Sequence, residues 1–189
     1  MLDTILEILG FLTGLLYLYY EYHASTKMWI VGIIMPMISL WVYFNSGLYA
    51  DFAINIYYLV MAVYGYLAWT FNFKKKEKAE LPITRMPLKQ YLPVALVLAA
   101  IYAALAWWLV NLTDSNVPYY DAFTTALSIV GTWMLARKYI EQWIVWIIVD
   151  AVCVGLFIYK GIYFYATLYL IYTVIAFFGY RKWRRRIVR

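Results

Sequence analysis

Trp29-Ile30-Val31 returns 114 residues later as Trp143-Ile144-Val145, in the same frame and without a gap. The same offset aligns glycine, tyrosine and tryptophan positions along the apolar stretch that follows. The aligned pairs are Gly47/Gly161, Tyr49/Tyr163, Tyr58/Tyr172, Val60/Val174, Ala62/Ala176, Gly65/Gly179, Tyr66/Tyr180 and Trp69/Trp183. The chain therefore contains an internal duplication, and this repeat constrains the fold more strongly than any single residue does. Because each copy is very apolar, the pattern is typical of membrane transporters, which are commonly built from repeated halves with the substrate between them.

The composition excludes a water-soluble domain. Of 189 residues, 66% are hydrophobic, 21% are aromatic and only 14% are charged, whereas a soluble domain carries about 25% charged residues. The excess apolar surface must face lipid, so we predict an integral membrane protein. The N-terminus holds Asp3 and Glu7 and no basic residue before Lys27. It lacks the positive charge that begins a signal peptide, so we expect the first apolar run to remain as a helix.

The sequence lacks the residues that several kinds of chemistry require. The chain has one cysteine, Cys153, and one histidine, His23, so no disulfide can form within a monomer and no zinc or iron site of the usual kind is expected. No Gly-rich phosphate loop occurs. The last apolar run has no lysine for retinal, and no Ser/His pair suits proteolysis within the membrane. We therefore expect no cofactor, no metal and no enzymatic activity.

Seven apolar runs are long enough to cross a bilayer, which takes about 20 mostly apolar residues in helical form. We predict spans at about 4–22, 28–45, 48–71, 91–112, 120–138, 141–159 and 162–181. Asn45-Ser46-Gly47 joins the second span to the third, and Lys160-Gly161 joins the sixth to the seventh at the equivalent place. Glycine at both places suits a chain reversal that needs a positive φ.

Basic residues predict the orientation in the membrane. Of 16 Lys and Arg residues, only Lys160 falls on the side of the N-terminus, and the rest lie in loops on the other side, chiefly in the runs 74–78 and 181–189. We therefore expect the N-terminus outside and the C-terminus in the cytoplasm. The basic runs also attract anionic head groups of the lipid bilayer. This explains the net charge of +6 without a nucleic-acid partner.

The predicted spans divide the chain into three parts. Residues 1–72 form the first three-helix repeat, 73–118 a basic cytoplasmic loop and a linker helix, and 119–189 the second three-helix repeat with a basic cytoplasmic tail. Four crossings separate equivalent positions, and because four is even, both copies point the same way. We predict an all-α membrane fold of the 3+1+3 parallel-repeat type, the arrangement of the SWEET sugar facilitators.

Asp150 is the most informative single residue, because it lies near the middle of the sixth span. A carboxylate there costs about 3 kcal/mol on insertion scales, and such residues usually face a cavity. Helical spacing places Trp143, Trp146 and Phe157 on the same stripe. Two indoles and an acid suit a flat, positively charged ring. Two purely structural interpretations stay open. Asp150 is a buried acid that accepts hydrogen bonds from tyrosine hydroxyls or the backbone, or Trp143 is an interfacial anchor.

The other polar candidates inside spans correspond across the copies. Asn55 offers a donor and an acceptor to an amide or aminopyrimidine edge, and its counterpart is Tyr169. Tyr58 corresponds to Tyr172, and a buried phenol seeks a hydrogen-bond partner. We expect some of these side chains to line a polar cavity.

Pro36 is the counterpart of Asp150 in the second span. A proline leaves one carbonyl without its helical donor and can bend the helix. Bent or interrupted helices often lie next to a transporter's substrate, although a tolerated kink explains the residue equally well. Asp51 lies a few residues past a turn, and both a functional role and a simple position at the level of the outer head groups stay open for it.

Longer motifs join these residues. In the second copy they are Asp121-Ala-Phe-Thr-Thr-Ala-Leu-Ser128-Ile, Arg137-Lys-Tyr-Ile-Glu-Gln-Trp143-Ile-Val-Trp146, Gly161-Ile-Tyr163 and Gly179-Tyr-Arg-Lys-Trp183, and in the first Gly47-Leu-Tyr49, Ile-Asn55 and Tyr64-Gly65-Tyr66-Leu-Ala-Trp69. Together and in this order, they resemble the PnuC family of vitamin transporters. The resemblance covers nearly the whole chain and is weakest in the fourth span.

The resemblance implies a seven-helix, 3+1+3 homotrimer of the inner membrane that passively carries nicotinamide riboside. A cytoplasmic kinase then phosphorylates and traps the riboside. By position, it implies that Trp143 and Trp146 lie near the substrate. Asn55 stands where the riboside carriers have Gln, and Asp150 where they have Asn. Thiamine, the substrate of one branch of the family, also contains a cationic nitrogen heterocycle, so Asp150 suits either vitamin.

Two functions from different classes follow. The first is a facilitator for a small cationic vitamin or vitamin precursor, with one site exposed alternately to the two sides of the membrane. Its predicted substrate-binding residues are Pro36, Asn55, Tyr58, Trp143, Trp146, Asp150, Tyr169 and Tyr172. The second is a seven-helix sensor or scaffold that transports nothing.

Overall fold

The computed structural model describes residues 2–45, 49–71 and 81–187. Within these ranges the chain forms seven α-helices. They are α1 (Leu2–Tyr22), α2 (Lys27–Asn45), α3 (Tyr49–Thr70), α4 (Leu88–Leu112), α5 (Pro118–Ala136), α6 (Gln142–Tyr159) and α7 (Tyr163–Arg184). The prediction of an all-α chain with seven helices is confirmed.

The helices fall into two compact units, Met1–Pro82 and Ile83–Arg189. In the first unit α2 packs against both α1 and α3. In the second unit α4 packs against α5, α5 against α6, and α6 against α7. Helix α4, which lies between the two copies in the sequence, is thus packed within the second unit.

The α1–α2 and α5–α6 turns follow the same backbone course. Ala24 has a φ of 56°, and Lys138, its counterpart in the second copy, has a φ of 57°. A left-handed residue other than glycine costs about 1–2 kcal/mol, and hydrogen bonds at the same spacing hold it in both turns. These amide-to-carbonyl bonds are Ala24 to Glu21 (2.8 Å) and Ser25 to Tyr20 (2.9 Å) in the first turn, and Lys138 to Leu135 (2.8 Å) and Tyr139 to Met134 (3.0 Å) in the second.

Gly161 reverses the chain between α6 and α7. Its φ of +72° lies in the left-handed region that glycine adopts without steric cost, as the sequence predicts. The amide of Ile162 donates to the carbonyl of Phe157 at 2.8 Å and closes the end of α6. Gly47, the equivalent glycine of the first copy, lies outside the described residues.

In the first unit, a tryptophan lies directly over a glycine. Trp29 of α2 is 1% exposed, and a Cβ added to Gly65 of α3 would come within 2.4 Å of its indole. Trp69 meets Trp29 edge-on, with ring centroids 5.6 Å apart and an interplanar angle of 89°. Glycine therefore allows α2 and α3 to approach closely around a rigid aromatic wedge.

The second unit contains the same arrangement, 114 residues further along. A Cβ added to Gly179 of α7 would lie 2.6 Å from Trp143 of α6. Trp183 meets Trp143 edge-on, with centroids 5.5 Å apart and an angle of 89°. Equivalent residues thus make the same helix contact within each unit.

A short parallel β-bridge ties the segment before α4 to the α5–α6 turn. Thr84 pairs with Tyr139. The Thr84 amide donates to Lys138 O at 3.2 Å, and the Ile140 amide donates to Thr84 O at 3.0 Å. The Tyr139 hydroxyl adds a bond to Gln90 Oε1 at 3.0 Å. The start of α4 is therefore held by backbone and side chains together.

Glu141 strengthens this connection. Its Oε2 accepts a hydrogen bond from the Met86 amide at 2.9 Å, and its Oε1 accepts one from the Tyr91 hydroxyl at 3.4 Å. The carboxylate comes directly before α6 and so couples the start of α4 to the start of α6. Its counterpart in the first copy is Lys27.

In the described part of the chain, three helices are long and apolar enough to cross a membrane, namely α4, α6 and α7. Large apolar side chains along α4 point away from the second unit, among them Leu92, Leu96 and Trp107. Such a surface suits the hydrocarbon interior of a bilayer.

Candidate functional site

Asp150 is a carboxylate buried at the middle of α6. It is 7% exposed, and no hydrogen-bond donor reaches it in the part of the chain that the structure describes. Tyr172 and Cys153 lie within electrostatic range of it. A buried polar group without a partner is costly, so this position suits a ligand that brings a positive charge or a hydrogen-bond donor.

Trp146 lies one turn before Asp150 and packs toward α5. A Cβ added to Gly131 of α5 would lie 3.0 Å from Val145 and 3.7 Å from the Trp146 indole, the latter an ordinary van der Waals contact. Trp146 Nε1 is buried without a hydrogen-bond partner among the described residues. The indole also packs against the buried cluster formed by Leu127, Val149 and Cys153.

Aromatic side chains of α6 and α7 extend this cluster. Phe157 stacks on Tyr169 with centroids 5.3 Å apart and an interplanar angle of 20°. Tyr169 meets Tyr172 edge-on at 5.8 Å, and Tyr169 also packs against the cluster that Trp146 contacts. The second unit therefore brings together four sequence-predicted residues, Trp146, Asp150, Tyr169 and Tyr172.

Trp143 lies in a different environment. It is 1% exposed and fills the contact between α6 and α7 over Gly179. Trp29, its counterpart, fills the α2–α3 contact in the same way. The structure thus places Trp143 in helix packing, which differs from both roles predicted from the sequence, a pocket residue and an interfacial anchor.

The remaining candidates belong to the first unit. Pro36 is buried within α2, which stays helical across it. Asn55 and Tyr58 are half-buried on α3, and Tyr58 meets Tyr57 edge-on at 5.6 Å. The side chain of Asp51 lies outside the described residues.

Two buried polar residues were not predicted from the sequence. Glu21, near the end of α1, is 2% exposed and lies within electrostatic range of Tyr17. Gln142, the first residue of α6, is 0% exposed, and neither atom of its amide has a partner in the described part of the chain. Their counterparts are apolar and equally buried, namely Leu135 and Met28. A polar residue in one copy opposite an apolar one in the other is the signal that could have found them.

The chemistry available here is binding. The second unit offers a carboxylate, an indole and phenols within an apolar surrounding. Among the described residues, no group of three His, Cys, Asp or Glu side chains could hold a metal ion. A flat cationic ring suits this set, because an indole attracts cations over its face and a carboxylate balances their charge.

Comparison with known proteins identifies the family. The family model described as nicotinamide mononucleotide transporter matches residues 4–185. The chain belongs to the PnuC family. It is 28% identical over 202 residues to the nicotinamide riboside transporter PnuC of Escherichia coli (strain K12), covering 94% of this chain and 84% of that protein. It is 23% identical to the nicotinamide riboside transporter PnuC of Neisseria mucosa, covering 99% of this chain and 74% of the relative.

The fold of this chain also matches a solved structure. The crystal structure of the vitamin B3 transporter PnuC superimposes with a TM-score of 0.68 at 20% identity, covering 94% of this chain and 79% of that one. Family membership and the apolar helices place the chain in the inner membrane as a multi-pass protein. Because the family and these relatives are transporters, the expectation that the chain is not an enzyme is confirmed.

Proposed function

We propose that this chain transports a small cationic vitamin or vitamin precursor across the inner membrane by facilitated diffusion, and that its substrate is of the nicotinamide riboside type. The observation that carries the proposal is the position of Asp150, a buried carboxylate that no protein donor reaches in the described part of the chain, one turn from Trp146. Relatives named as nicotinamide riboside transporters support the same substrate class.

The residues take distinct roles in this proposal. Asp150 balances the positive charge of the ring, and this attraction is strong because both charges are away from water. The Trp146 indole provides a face for the ring. Tyr169 and Tyr172 supply hydroxyls for the polar substituents. Trp143 acts indirectly, because its packing over Gly179 fixes the helix that carries Trp146 and Asp150.

The first unit holds the remaining residues that we assign to the substrate. Asn55 and Tyr58 are half-buried polar side chains on α3, the helix equivalent to the one that carries Tyr169 and Tyr172. Pro36 removes one helical hydrogen bond at the position equivalent to Asp150. We assign these three residues to substrate contact because their counterparts, Asp150, Tyr169 and Tyr172, lie together in the second unit.

The proposed architecture is a 3+1+3 parallel repeat with seven spans, the N-terminus outside and the C-terminus in the cytoplasm. The first repeat comprises residues 1–72, the loop and linker helix 73–118, and the second repeat 119–189. Matched turns at Ala24 and Lys138 and matched tryptophan–glycine contacts support the duplication. The distribution of Lys and Arg supports the orientation. The homotrimer rests on the resemblance to the family.

Net uptake by a passive carrier needs a sink. We propose that a cytoplasmic kinase phosphorylates the riboside and that the added charge keeps the product inside. The kinase needs no stable contact with the carrier, because it acts on the free substrate.

Thiamine is the second candidate substrate. Asp150 also suits thiamine, because a carboxylate can accept hydrogen bonds from an aminopyrimidine edge as well as balance a cationic ring. The shorter amide of Asn55 leaves more room than a glutamine does.

Uptake into proteoliposomes tests the proposal. With purified wild-type protein, labelled nicotinamide riboside should equilibrate across the membrane, and it should accumulate only when a riboside kinase and ATP are enclosed. Uptake of thiamine without riboside uptake would move the substrate to the second candidate. If Trp146→Ala and Asp150→Leu, both folded, leave uptake unchanged, the site assignment is wrong. A folded wild-type protein that moves neither vitamin favours the sensor or scaffold.

A further inference from the structure

Gln142 is a buried amide in the first turn of α6. It is 0% exposed, and neither Oε1 nor Nε2 has a hydrogen-bond partner among the described residues. A buried polar atom without a partner destabilises the fold. Met28 occupies the equivalent place in the first copy at the same burial with an apolar side chain. The packing at this position therefore does not require an amide, and Gln142 calls for another explanation.

Gln142 shares a helix face with the proposed site. Gln142, Trp146 and Asp150 follow one another at i, i+4 and i+8, and side chains four residues apart on a helix are neighbours. At 1.5 Å of rise per residue, the Gln142 position is about 6 Å from Trp146 and about 12 Å from Asp150 along the axis. The first spacing is comparable to the distance from the centre of a heterocycle to the hydroxyls of an attached sugar.

The polar groups on this face are complementary to such a ligand. Trp146 Nε1 is also buried without a partner in the described part of the chain. The face therefore offers an N–H donor from Trp146, a donor and an acceptor from Gln142, and a negative charge from Asp150. An amide matches a vicinal diol or a carboxamide, because it donates and accepts at the same time.

We propose that Gln142 determines specificity by hydrogen-bonding the hydroxyl- or amide-bearing end of a cationic heterocycle whose ring lies at Trp146 and Asp150. This inference rests on the function proposed above. It assigns to Gln142 the recognition of the substituent attached to the ring. Gln142 is closed off by packing in the described state. The contact forms in the state of the transport cycle in which the start of α6 is open to the substrate.

Two ligands that differ only in the substituent test this role. Nicotinamide riboside carries the sugar, and 1-methylnicotinamide has the same cationic ring without it. The variant Gln142→Met copies the residue of the first copy, and Gln142→Leu serves as a second variant. Calorimetry on the purified full chain should show affinity for the riboside falling about tenfold, as expected when a site loses a designed hydrogen bond. Affinity for 1-methylnicotinamide should change by less than about twofold.

Thermal unfolding of the ligand-free variants separates this role from a structural one. Removal of an unpaired buried amide should leave the unfolding temperature unchanged or raise it. The matched control is Thr132→Val, which removes a buried hydroxyl of α5 that already donates to Ser128 O at 2.7 Å. Thr132→Val should lower the unfolding temperature and leave the preference between the two ligands as in the wild type.

The outcomes distinguish this inference from the proposed function. If both Gln142 variants bind the riboside as the wild type does, or lose both ligands equally, Gln142 does not read the substituent, whereas the cationic-ring site still stands. If the wild-type protein binds neither ligand, the proposed function fails and the inference fails with it.

Discussion

The two copies pack their last two helices alike and their first two helices in opposite ways. In both units a tryptophan lies over a glycine of the next helix, as Trp143 lies over Gly179. Between the first two helices, the aromatic ring and the glycine exchange helices. In the first unit, Tyr17 of α1 lies 3.2 Å from a Cβ added to Gly32 of α2. In the second unit, the glycine, Gly131, lies on α5 and the aromatic ring, Trp146, lies on α6.

Identical and different positions of the two copies contribute differently to the packing. Positions with identical residues, such as Gly65 and Gly179, make equivalent helix contacts. Positions with different residues hold the buried polar groups, since Asp150 stands opposite Pro36 and Gln142 opposite Met28. Trp146, the aromatic ring on α6, lies one turn from Asp150. Asp150, Trp146 and Gln142 therefore stand at positions where the two copies differ.

The largest expected effect comes from filling the shared glycine contacts. Gly179→Ala places a Cβ 2.6 Å from Trp143, and Gly65→Ala places one 2.4 Å from Trp29. Neither rigid, buried indole can move away easily, so each variant should lose about 1–3 kcal/mol of unfolding free energy. The control is Gly155→Ala in α6, where the added Cβ meets nothing within 4 Å. It should be neutral or stabilising by up to about 1 kcal/mol. Thermal unfolding in detergent measures all three.

A double variant sharpens this prediction. Trp143→Phe, which shortens the ring, should recover part of the stability lost in Gly179→Ala, and the coupling between the two changes should exceed about 0.5 kcal/mol. Additive effects would mean that the indole does not press on Gly179. The matching contacts of the two units would then not contribute to the unfolding free energy in the way we predict.

The next effect concerns the ring that differs between the copies. Trp146→Ala removes the indole face beside Asp150 and should weaken binding of nicotinamide riboside by about tenfold or more, since a desolvated cation–π contact is worth about 2 kcal/mol. Trp107→Ala, which removes a 64% exposed tryptophan from α4, should leave affinity unchanged. Calorimetric titration decides between them. Equal affinities for the two variants would remove Trp146 from the site.

A further prediction tests the connection that Glu141 makes within the second unit. Glu141→Ala removes the acceptor of the Met86 amide and the Tyr91 hydroxyl. Loss of a partly buried, charge-assisted acceptor should cost about 1–2 kcal/mol. Hydrogen exchange at the Met86 amide should accelerate, while amides of α2 and α3 keep their protection. Slow exchange at Met86 in the variant would show that Glu141 does not hold the start of α4.

The sequence was sufficient for the helices and for the equivalence of the turns, because apolar periodicity and the repeat are properties of the chain itself. It identified Gly161 and placed Asp150 inside a helix. It could not assign the neighbours of each side chain. Trp143 and Trp146 fall on one predicted stripe, yet one packs over Gly179 and the other over Gly131. Three residues of helical rotation separate them, and only packing decides which helix each side chain meets.

Burial of Glu21 and Gln142 could not be predicted for a related reason. Both residues adjoin turns, where the sequence pattern is consistent with exposed polar side chains. Their burial depends on close packing around turns that carry left-handed residues, Ala24 and Lys138. Such backbone conformations are rare for residues other than glycine. Neither alanine nor lysine is a residue type that indicates them in a sequence.

The proposed function requires the Asp150 carboxylate to recognise the positive charge of the substrate. Calorimetry tests this by measuring the preference for nicotinamide riboside over its reduced, uncharged dihydro form, in the wild type and in the isosteric Asp150→Asn variant. Asp114→Asn, at an exposed loop position, controls for the loss of one negative charge. We expect the preference to fall about tenfold, or 1.4 kcal/mol, in Asp150→Asn alone. An undiminished preference in that variant would contradict the claim.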